Sequence, residues 1–596
     1  MNNDKLAFAN SLSKYSRLET RKIHVGTLSL GGDAPIRIQS MTTTDTNNVD
    51  ASTRQSIQII NAGGEIVRLT TQGEKEARNI GLIRAELDKN NHHTPLVADV
   101  HFNPNAALTA AARVEAVRIN PGNYTGEAKR FNADADKLSD EQWHDLIINK
   151  LRPLVETCKQ HHTAIRIGVN HGSLSDRVMA KYGDTPQGMV ASCTEYIDAL
   201  EQLDFRQIAI SIKSSNTRVM VQTVRLLAAT LRQRGAIYPL HLGVTEAGSD
   251  AEGRIKSAAG IGALLNDGIG DTIRVSLTEA PEAEIPVARS LVDHCARLAN
   301  TPDVGTVASD LYSPFAYNRR PTVEALGIGS TNHPVVATQG QSQADWTLSH
   351  DLSTVTTKEG LSIPITTAPS TSGPCLIRLT LNEFRNLPDT HIANLRHRSD
   401  AAILAPCQSG NNQAELRAFA LELTSRGIQL PLVCLYESSQ TDYPLFQLQM
   451  SADLGGLLID GLIDGIAVVA PHSPQQVADT ALMLLQATRA RFSRTEFISC
   501  PGCGRTLYDI QSTVALIKSQ FGHLKGLKIG IMGCIVNGIG EMADADYGYV
   551  GAAAGKVSLY KGKKCIRQNI PTEDAVAELI ALIREGGDWS EPGDTK

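Results

Sequence analysis

Short apolar runs rich in β-branched residues recur eight times between positions 35 and 277, and this repetition constrains the fold more than any other feature. Stretches with helical periodicity fill the gaps, for example 51–62, 104–113, 145–161 and 217–234. Strands that alternate with helices are typical of parallel βαβ units. The eight candidate strands are Pro35–Met41, Glu65–Thr71, Pro95–Phe102, Ala116–Asn123, Ala164–Gly172, Ile208–Ser215, Pro239–Gly248 and Asp271–Leu277.

Eight such units in about 250 residues have the size and strand count of a TIM barrel. A doubly wound open sheet is the alternative, but no Gly-x-Gly-x-x-Gly turn follows the first candidate strand. We therefore predict an α/β protein whose N-terminal domain, residues 1–304, is a (β/α)8 barrel.

A second alternating region follows an irregular, proline-containing stretch at 301–321. Few charged residues stand at the ends of its candidate strands, so the sequence favours a scaffold over a reaction centre. We predict an inserted, barrel-like α/β domain over residues 305–488. Its candidate strands are His333–Gln339, Cys375–Thr380, Ala401–Cys407, Pro431–Tyr436, Gly456–Leu462 and Asp464–Ala470.

The remaining residues, 489–596, read as a third domain of α+β type. It contains candidate strands at Leu527–Met532, Tyr547–Ala552 and Lys556–Tyr560, and a closing helix at Thr572–Glu585 that ends before two glycines.

Composition excludes several classes of protein. A net charge of −6, from 57 basic and 63 acidic residues, argues against a general nucleic-acid-binding protein. Residues 1–21 lack the apolar core of a secretion signal. The longest apolar stretch, 455–470, is interrupted by Asp460 and Asp464 and is unsuited to span a membrane. We expect a cytoplasmic protein that binds neither nucleic acid nor membranes.

Three of the ten cysteines form the strongest local motif, Cys500-Pro-Gly-Cys503 followed by Cys534 in a second glycine-rich segment. A C-x-x-C turn lets two thiolates reach one metal centre, and thiolate sulfur suits both zinc and iron–sulfur clusters. The spacing leaves three interpretations open and slightly favours the first: a zinc site completed by His523 or Cys565, a cluster bound by three cysteines, and a thioredoxin-type redox pair.

Basic and amide side chains stand at the ends of the candidate barrel strands. Because these ends converge on one mouth in a TIM barrel, so many cations would repel one another unless an anion compensated them. Phosphate or diphosphate is the natural partner, although any single arginine could instead pair with a carboxylate on the rim. The strand-end residues are Arg68, Asp99, His101, Arg118, Asn120, Arg166, Asn170, Lys213, Glu246, Arg274 and Ser276.

Eight short segments, taken in order, cover residues 20–300 and 495–555. The barrel segments are Pro35-Ile-Arg-Ile-Gln-Ser-Met-Thr42, Leu96-Val-Ala-Asp-Val-His-Phe102, Val117-Arg-Ile-Asn-Pro-Gly-Asn123, Ile165-Arg-Ile-Gly-Val-Asn170, Pro239-Leu-His-Leu-Gly-Val-Thr-Glu-Ala-Gly248 and Gly268-Ile-Gly-Asp-Thr-Ile-Arg-Val-Ser276. The two C-terminal segments are Cys500-Pro-Gly-Cys503 and Gly533-Cys-Ile-Val-Asn-Gly538. Together these segments resemble the 4-hydroxy-3-methylbut-2-enyl diphosphate synthase family.

The resemblance implies the reductive opening and dehydration of 2-C-methyl-D-erythritol 2,4-cyclodiphosphate to 4-hydroxy-3-methylbut-2-enyl diphosphate, in isoprenoid precursor biosynthesis. Two electrons from flavodoxin or ferredoxin would enter through a 4Fe-4S cluster. The implied cluster ligands are Cys500, Cys503, Cys534 and Glu541, so the resemblance reverses the preference for zinc.

The resemblance also implies roles for the barrel residues. Glu246 is the candidate for proton transfer, Asn537 would lie close to the cluster and the substrate, and the other strand-end residues would bind the cyclic diphosphate or lie beside it. The family usually has Asn-Gly-Pro-Gly-Glu where this chain has Asn537-Gly-Ile-Gly-Glu541. Ile539 removes a rigid turn residue, but the glutamate keeps its spacing.

Residues from about 305 to 485 have no counterpart in short members of that family, which join barrel and cluster domain across a dimer. An insert could fold the cluster domain onto its own barrel, so we expect a monomer or a homodimer. The rival hypothesis is a zinc-stabilised, phosphate-binding barrel protein with a non-catalytic C-terminal module. A radical enzyme is disfavoured because the chain lacks the Cys-x3-Cys-x2-Cys run of the common type.

Overall fold

A computed structural model describes residues 7–125 and 138–592. Within these residues the strands form a two-stranded sheet, two closed eight-stranded barrels and a five-stranded sheet. The chain divides into two compact units, which we call the barrel–cysteine unit and the insert unit. The first contains Glu19–Gly253, Gly270–Arg289 and Arg494–Lys596, and the second contains Met1–Leu18, Arg254–Ile269 and Ser290–Ser493.

The first barrel has eight parallel strands that neighbour one another in chain order and close between the last and the first. A short hairpin, β1 (Ile23–Val25) and β2 (Leu28–Leu30), packs its apolar side chains against the amino ends of the barrel strands. The barrel strands are β3 (Arg37–Met41), β4 (Ile66–Thr71), β5 (Leu96–Val100), β6 (Ala116–Ile119), β7 (Ala164–Asn170), β8 (Ile208–Lys213), β9 (Leu240–Leu242) and β10 (Thr272–Ile273).

Helices follow the barrel strands, and several begin at side chains that cap free backbone N–H groups. Asn103 and Asn216, for example, each accept hydrogen bonds from two backbone N–H groups of the helix that follows. The helices are α1 (Val49–Asn61), α2 (Glu74–Lys89), α3 (Pro104–Ala111), α4 (Pro121–Tyr124), α5 (Asp140–His161), α6 (Asp176–Tyr182), α7 (Pro186–Gln202), α8 (Thr217–Gln233), α9 (Asp250–Asn266) and α10 (Glu284–Ala296). The predicted (β/α)8 barrel is confirmed, and the closed sheet rules out an open one.

The insert unit contains the second closed barrel, whose interior is filled by apolar side chains. Two of its strand pairs are antiparallel, which distinguishes it from the first barrel. Its strands are β11 (Val335–Gln339), β12 (Trp346–Leu348), β13 (Thr354–Thr357), β14 (Ser362–Thr366), β15 (Cys375–Arg378), β16 (Ala401–Pro406), β17 (Leu432–Glu437) and β18 (Gly465–Val469). Its helices are α11 (Leu381–Arg385), α12 (Asp389–Arg396), α13 (Asn412–Ser425), α14 (Tyr443–Ile459) and α15 (Pro474–Ala487).

The barrel-like prediction for the insert is confirmed, but one of its candidate strands is wrong. Most of Gly456–Leu462 lies within α14. Every residue of this helix from Met450 to Ile459 is buried. A helix buried all round has no polar stripe, so its apolar run cannot be told from a buried strand by periodicity. Strands β12, β13 and β14 were not predicted, because they are short and rich in polar residues.

Within the insert unit, α14 packs closely against residues 254–269. A Cβ on Gly262 would lie 2.7 Å from the Cα of Ala452, and Asn266 Nδ2 donates to the Ala452 carbonyl at 2.9 Å. The sequence assigns residues 254–269 to the first domain, whereas these contacts group them with the second barrel. The division 1–304, 305–488 and 489–596 stays a prediction.

The C-terminal region is a mixed five-stranded sheet with helices on its faces, as the predicted α+β domain requires. The first three strands pair in parallel. The fourth and fifth strands each pair in antiparallel fashion with the strand before them. The strands are β19 (Glu496–Ser499), β20 (Lys528–Met532), β21 (Tyr547–Ala553), β22 (Lys556–Lys561) and β23 (Lys564–Pro571), and the helices are α16 (Ile510–Phe521), α17 (Ile535–Glu541) and α18 (Ala575–Glu585). No helix in the described part of the chain has the length and apolar character needed to cross a membrane.

Candidate active site

The three cysteines meet because they follow two adjacent parallel strands. Cys500 comes directly after β19, Cys534 lies just after β20, and these strands pair in parallel. The carboxyl ends of parallel neighbours lie at the same edge of a sheet. Gly533 N–H donates to Cys500 Sγ at 3.3 Å, which ties the two cysteine segments together.

This sheet edge faces the mouth of the first barrel within the same compact unit. Ala247, after β9, forms a parallel bridge with Ser499. Thr278 Oγ1 lies 3.1 Å from Ser499 Oγ and 3.3 Å from the Cys500 carbonyl oxygen. Lys518 Nζ pairs with Glu252 at 2.7 Å. The cysteine-bearing sheet and the barrel of one chain are therefore in direct contact.

One cavity lies between them and brings most of the predicted site residues together. Its walls also include Met41, Ser211, Thr245 and Arg505, which sequence reasoning did not single out. The predicted residues that line it are Arg68, Arg118, Asn170, Lys213, Glu246, Arg274, Ser276, Cys500, Cys503, Cys534 and Glu541.

Asp99 and His101 lie behind the cavity wall and hold its arginines. Asp99 Oδ1 is 2.7 Å from Arg68 Nη2 and 3.3 Å from Arg118 Nη1, and His101 Nε2 is 2.7 Å from Arg118 Nη1. Burial would raise the pKa of Asp99, but the adjacent cations Arg68 and Arg118 hold it well below its usual value. Burial lowers the pKa of His101 to about 3, so its ring is neutral at physiological pH. Both residues support the arginines that face the cavity.

Two more predicted residues are engaged elsewhere. Arg166 Nη1 donates to Gln39 Oε1 at 2.6 Å beneath the mouth, and burial lowers its pKa to about 9. Asn120 caps α4 by accepting from Gly122 N–H at 3.1 Å, and its Nδ2 lies 3.3 Å from Ser173 Oγ. Neither is among the residues lining the cavity.

The cavity carries positive charge that the surrounding carboxylates do not cancel. Burial lowers the pKa of Lys213 well below its usual value, and the nearby Arg68, Arg274 and Arg166 lower it further. The Nε atom of Arg68, which lines the cavity, is buried without a hydrogen-bond partner among the described residues. Such an unsatisfied group costs about 1–3 kcal/mol, and an anionic ligand with many oxygens would satisfy it.

Arg274 is already neutralised by a buried carboxylate. Its Nε and Nη2 donate to the two oxygens of Glu284 at 3.0 and 2.9 Å, and Glu284 also accepts from Ser40 Oγ at 2.6 Å. Burial would lower the pKa of Arg274, but Glu284 raises it. Arg274 therefore helps to hold β10 in the barrel wall as well as facing the cavity.

For this reason the Arg274→Ala variant is expected to be destabilised, because Glu284 would remain buried without its partner. Breaking a buried ion pair in this way costs about 3–5 kcal/mol, and the free energy of unfolding in urea measures it. The double variant Arg274→Met with Glu284→Leu should recover much of the loss. A single variant as stable as the wild type would show that the pair is not structural.

Glu541 ends α17 and reaches the barrel. Its Oε1 accepts from Asn170 Nδ2 at 2.7 Å, and Asn170 Oδ1 accepts from Arg118 Nη2 at 3.0 Å. The backbones approach so closely at Gly172 and Gly540 that a Cβ on either would overlap the other's carbonyl group. A hydrogen-bonded path thus runs from the barrel arginines to the carboxylate beside the cysteines. Asn537 lies on the same helix, but its side chain is outside the described part of the structure.

Ile539, which stands where the family usually has proline, lies inside α17. It packs against the apolar cluster of Met532, Met542 and Val550 on one face of the sheet. The segment is therefore a short helix in which an apolar side chain packs inward.

Glu246 lies in the bend after β9 with its carboxylate in the cavity wall. Its backbone has φ +48°, a left-handed conformation that is uncommon for a residue other than glycine and is often found at functional sites. Burial raises the pKa of the Cys500 thiol, and the nearby Cys503 and Glu246 raise it further. Glu246 is thus close to both the barrel cations and the cysteine sulfurs.

The three cysteines line one cavity and form a thiolate donor set that suits zinc or an iron–sulfur cluster. No three histidine, cysteine or acidic side chains in residues 7–125 and 138–592 lie close enough to hold one metal ion. Burial raises the pKa of Cys500 and Cys534, so thiolates at these two positions need a bound cation for charge compensation. A bound zinc ion or iron–sulfur cluster would supply that charge.

The two further zinc ligands considered from sequence lie elsewhere. His523 Nε2 contacts the Ser590 carbonyl oxygen at 2.8 Å, and its ring packs on Trp589. Cys565 is on β23, opposite Tyr560, and lies in the apolar cluster of that sheet face. Neither is among the residues lining the cavity.

Arg505 is the most informative residue that sequence reasoning missed. It follows the C-x-x-C turn by two positions, and its Nη2 lies 3.4 Å from Asp99 Oδ2 on β5. Its position beside the C-x-x-C turn could have been used as a signal, because a basic residue next to clustered cysteines lies close to their negative charge. No pattern in the sequence indicated that it meets the barrel.

Comparison with known proteins gives consistent matches. The family model described as "GcpE TIM-barrel domain" matches residues 20–289, and "GcpE protein C-terminal domain" matches residues 496–585. Curated proteins named 4-hydroxy-3-methylbut-2-en-1-yl diphosphate synthase (flavodoxin) match nearly end to end. That of Parabacteroides distasonis is 46% identical over 96% of this chain and 99% of its own length.

Other relatives with the same name extend the pattern. The protein of Porphyromonas gingivalis is 46% identical over 97% of this chain and 99% of its own length, and that of Chlorobaculum tepidum is 37% identical over 97% and 90%. The part between the two family domains is therefore shared with these relatives. A solved dihydropteroate synthase from Stenotrophomonas maltophilia matches 48% of the chain with 12% identity and a TM-score of 0.32, too weak a likeness to support any inference.

Proposed function

Because the chain belongs to the 4-hydroxy-3-methylbut-2-en-1-yl diphosphate synthase family, we propose that its cavity opens 2-C-methyl-D-erythritol 2,4-cyclodiphosphate reductively to 4-hydroxy-3-methylbut-2-enyl diphosphate. Two electrons and one proton enter, one carbon–oxygen bond to the diphosphate breaks, and one hydroxyl leaves as water. One observation carries the proposal: the barrel cations and the three cysteines of a single chain line the same cavity.

The cationic wall would bind the diphosphate. Arg68 and Arg118 are held in place by Asp99, so they present guanidinium groups that need little reorganisation when the substrate arrives. Lys213 and Ser276 line the same wall. The grouping of Arg68, Arg118 and Lys213 around one cavity supports an anionic ligand at this position.

The cysteine side of the cavity would hold the redox group. Cys500, Cys503, Cys534 and Glu541 would bind a 4Fe-4S cluster, which supplies electrons one at a time and an iron that accepts an oxygen ligand. Glu541 would be the weakest ligand of this set, and Asn170 Nδ2, which already donates to Glu541 Oε1 at 2.7 Å, could hold the carboxylate if the substrate displaced it. The relatives' name specifies flavodoxin, which supports flavodoxin as the electron donor here.

Glu246 would supply the proton. It lines the cavity between the cations and the cysteines, and a carboxyl group held there can protonate a departing hydroxyl. Contacts between barrel and sheet border the same space, and a bound substrate there would be shielded in part from bulk water, which limits side reactions of an intermediate.

Anaerobic purification tests this proposal. We expect a brown protein with broad visible absorption and about four irons per chain, which converts the cyclic diphosphate when reduced flavodoxin is supplied. A colourless protein with one zinc and no iron would contradict the proposal and favour a zinc-stabilised, phosphate-binding barrel.

The Glu541→Ala variant is expected to lose iron and turnover, because the fourth iron would have no protein ligand. Loss of outer-shell partners alone costs about 10–100-fold in metal affinity or activity, so losing a ligand should cost at least as much. Iron content per chain and the turnover rate measure the effect. Asp544→Asn is the control, since Asp544 lies at the same contact with the barrel, 3.4 Å from Asn216 Nδ2, and does not line the cavity. Full iron and full activity in Glu541→Ala would remove it from the ligand set.

A further inference from the structure

Arg505 connects the cysteine loop to the barrel at a point where charge matters. Its side chain is 8% exposed and lines the cavity, and its Nη2 lies 3.4 Å from Asp99 Oδ2. The loop itself comes very close to the barrel, because a Cβ on Gly504 would lie 2.7 Å from the Thr44 carbonyl oxygen. Arg505 can hold this position only while the loop is seated on the barrel mouth.

The charge of Arg505 is not cancelled by Asp99. That carboxylate already pairs with Arg68 at 2.7 Å and with Arg118 at 3.3 Å, so Arg505 is the third arginine around a single negative charge. A surplus of positive charge therefore remains on this side of the cavity.

The other neighbours of Arg505 are the cysteine sulfurs. Arg505 stands two residues after Cys503 in the same loop, and it lines the same cavity as Cys500, Cys503 and Cys534. The guanidinium thus lies where it stabilises negative charge on the sulfurs.

We propose that Arg505 is a positioning residue that makes the group bound by Cys500, Cys503 and Cys534 easier to reduce when the cysteine loop is seated on the barrel. This inference rests on the proposed function, because it needs the cluster to be present. One electron from a one-electron carrier such as flavodoxin enters in this step, no bond forms or breaks, and the sulfur-bound group becomes more negative by one charge.

The physical reason is the field of a buried cation. Charge–charge interactions are stronger inside a protein than in water, and the net charge and hydrogen bonds around the sulfurs set the potential of a cluster. A fixed guanidinium beside the sulfurs favours the reduced state, which carries the extra negative charge. Because Asp99 on the barrel orients the guanidinium, the stabilisation of the reduced state depends on contact between the cysteine loop and the barrel. Reduction is thereby favoured where the substrate binds.

A role in substrate binding alone makes a different prediction. An Arg505 that only bound the diphosphate would change KM and leave the midpoint potential of the substrate-free protein unaltered. An Arg505 that only held the loop in place would be replaced poorly by lysine, since lysine lacks the planar fork of guanidinium. The midpoint potential separates these roles.

The test is a redox titration of substrate-free, anaerobically reconstituted protein with iron content measured for each sample. Arg505→Gln should lower the reduction equilibrium constant at least tenfold, a shift of about 59 mV to more negative potential for one electron. Arg505→Lys, which keeps the charge, should shift by less than half of that. Lys518→Gln is the matched control, because it removes another ion pair between the sheet and the barrel, with Glu252 at 2.7 Å, outside the cavity. It should leave the potential unchanged.

Several outcomes would overturn the inference. A wild-type potential in Arg505→Gln, or equal shifts in the glutamine and lysine variants, would show that the charge does not act on the cluster. If Arg505→Gln binds no iron, the iron content of Arg505→Met and Arg505→Lys is compared instead. Iron in the lysine variant alone would support a role for the charge of Arg505. Loss of iron from all three variants would contradict that role. A wild-type protein without a cluster would overturn the proposed function and this inference together, whereas an active wild type with an unshifted Arg505→Gln overturns this inference only.

Discussion

Replacing Cys534 by alanine is expected to remove the cluster and reduce turnover below detection, while the same change at Cys565 leaves both unaltered. Cys534 lines the cavity between the sheet edge and the barrel. Cys565 belongs to the same sheet but packs in the apolar cluster on its face. The two variants remove the same atom from the same small domain, so their difference reports the site alone.

Iron per chain, visible absorption and turnover should be measured on both variants after identical reconstitution. Thiolate ligands cannot be replaced by a methyl group, so no partial activity is expected from Cys534→Ala. Iron loss in Cys565→Ala would return Cys565 to the ligand set. Full iron in Cys534→Ala would exclude Cys534 from it.

The Glu246→Gln variant should lower kcat by about 10²–10⁴-fold, the range that a positioned proton donor contributes. Glutamine keeps the size of the side chain and the hydrogen-bonding carbonyl, so the backbone at φ +48° and the cavity wall should be preserved. Iron content and substrate affinity are expected to stay close to the wild type. The loss should therefore appear in kcat and not in KM.

Glu252→Gln is the matched control for Glu246. It lies six residues further along, pairs with Lys518 outside the cavity, and removes the same charge from the same end of the barrel. We expect its kcat to stay within a few-fold of the wild type. A similar loss in both variants, or an unchanged kcat in Glu246→Gln, would exclude Glu246 as the proton donor.

The barrel was predictable because its signals are local. Each strand from Arg37–Met41 to Thr272–Ile273 falls within a run chosen from β-branched residues and alternation with helices. The convergence of Arg68, Lys213 and Ser276 followed from the rule that strand ends meet at one mouth.

The contacts between barrel and sheet were not predictable from the same rules. Asp99 was expected to lie near the substrate, but in the structure it holds three arginines, one of which comes from a loop about 400 residues further along the chain. Nothing in the sequence around Arg505 or Asn170 marks these contacts, because they depend on how the barrel and the C-terminal sheet pack together within one unit. The partner of Arg274 was also hidden, since Glu284 stands ten residues later at the start of α10.

The central claim is that the barrel and the cysteines of one chain complete one active site, and mixing two inactive variants tests it most directly. Glu246→Gln and Cys534→Ala should be produced together with different tags, purified as mixed assemblies where these form, and assayed after reconstitution. Each chain then has one damaged half of its own site. We predict no turnover above that of the separate variants. Turnover restored to a sizeable fraction of the wild-type rate would show that barrel and cysteines are paired between chains, and would contradict the account.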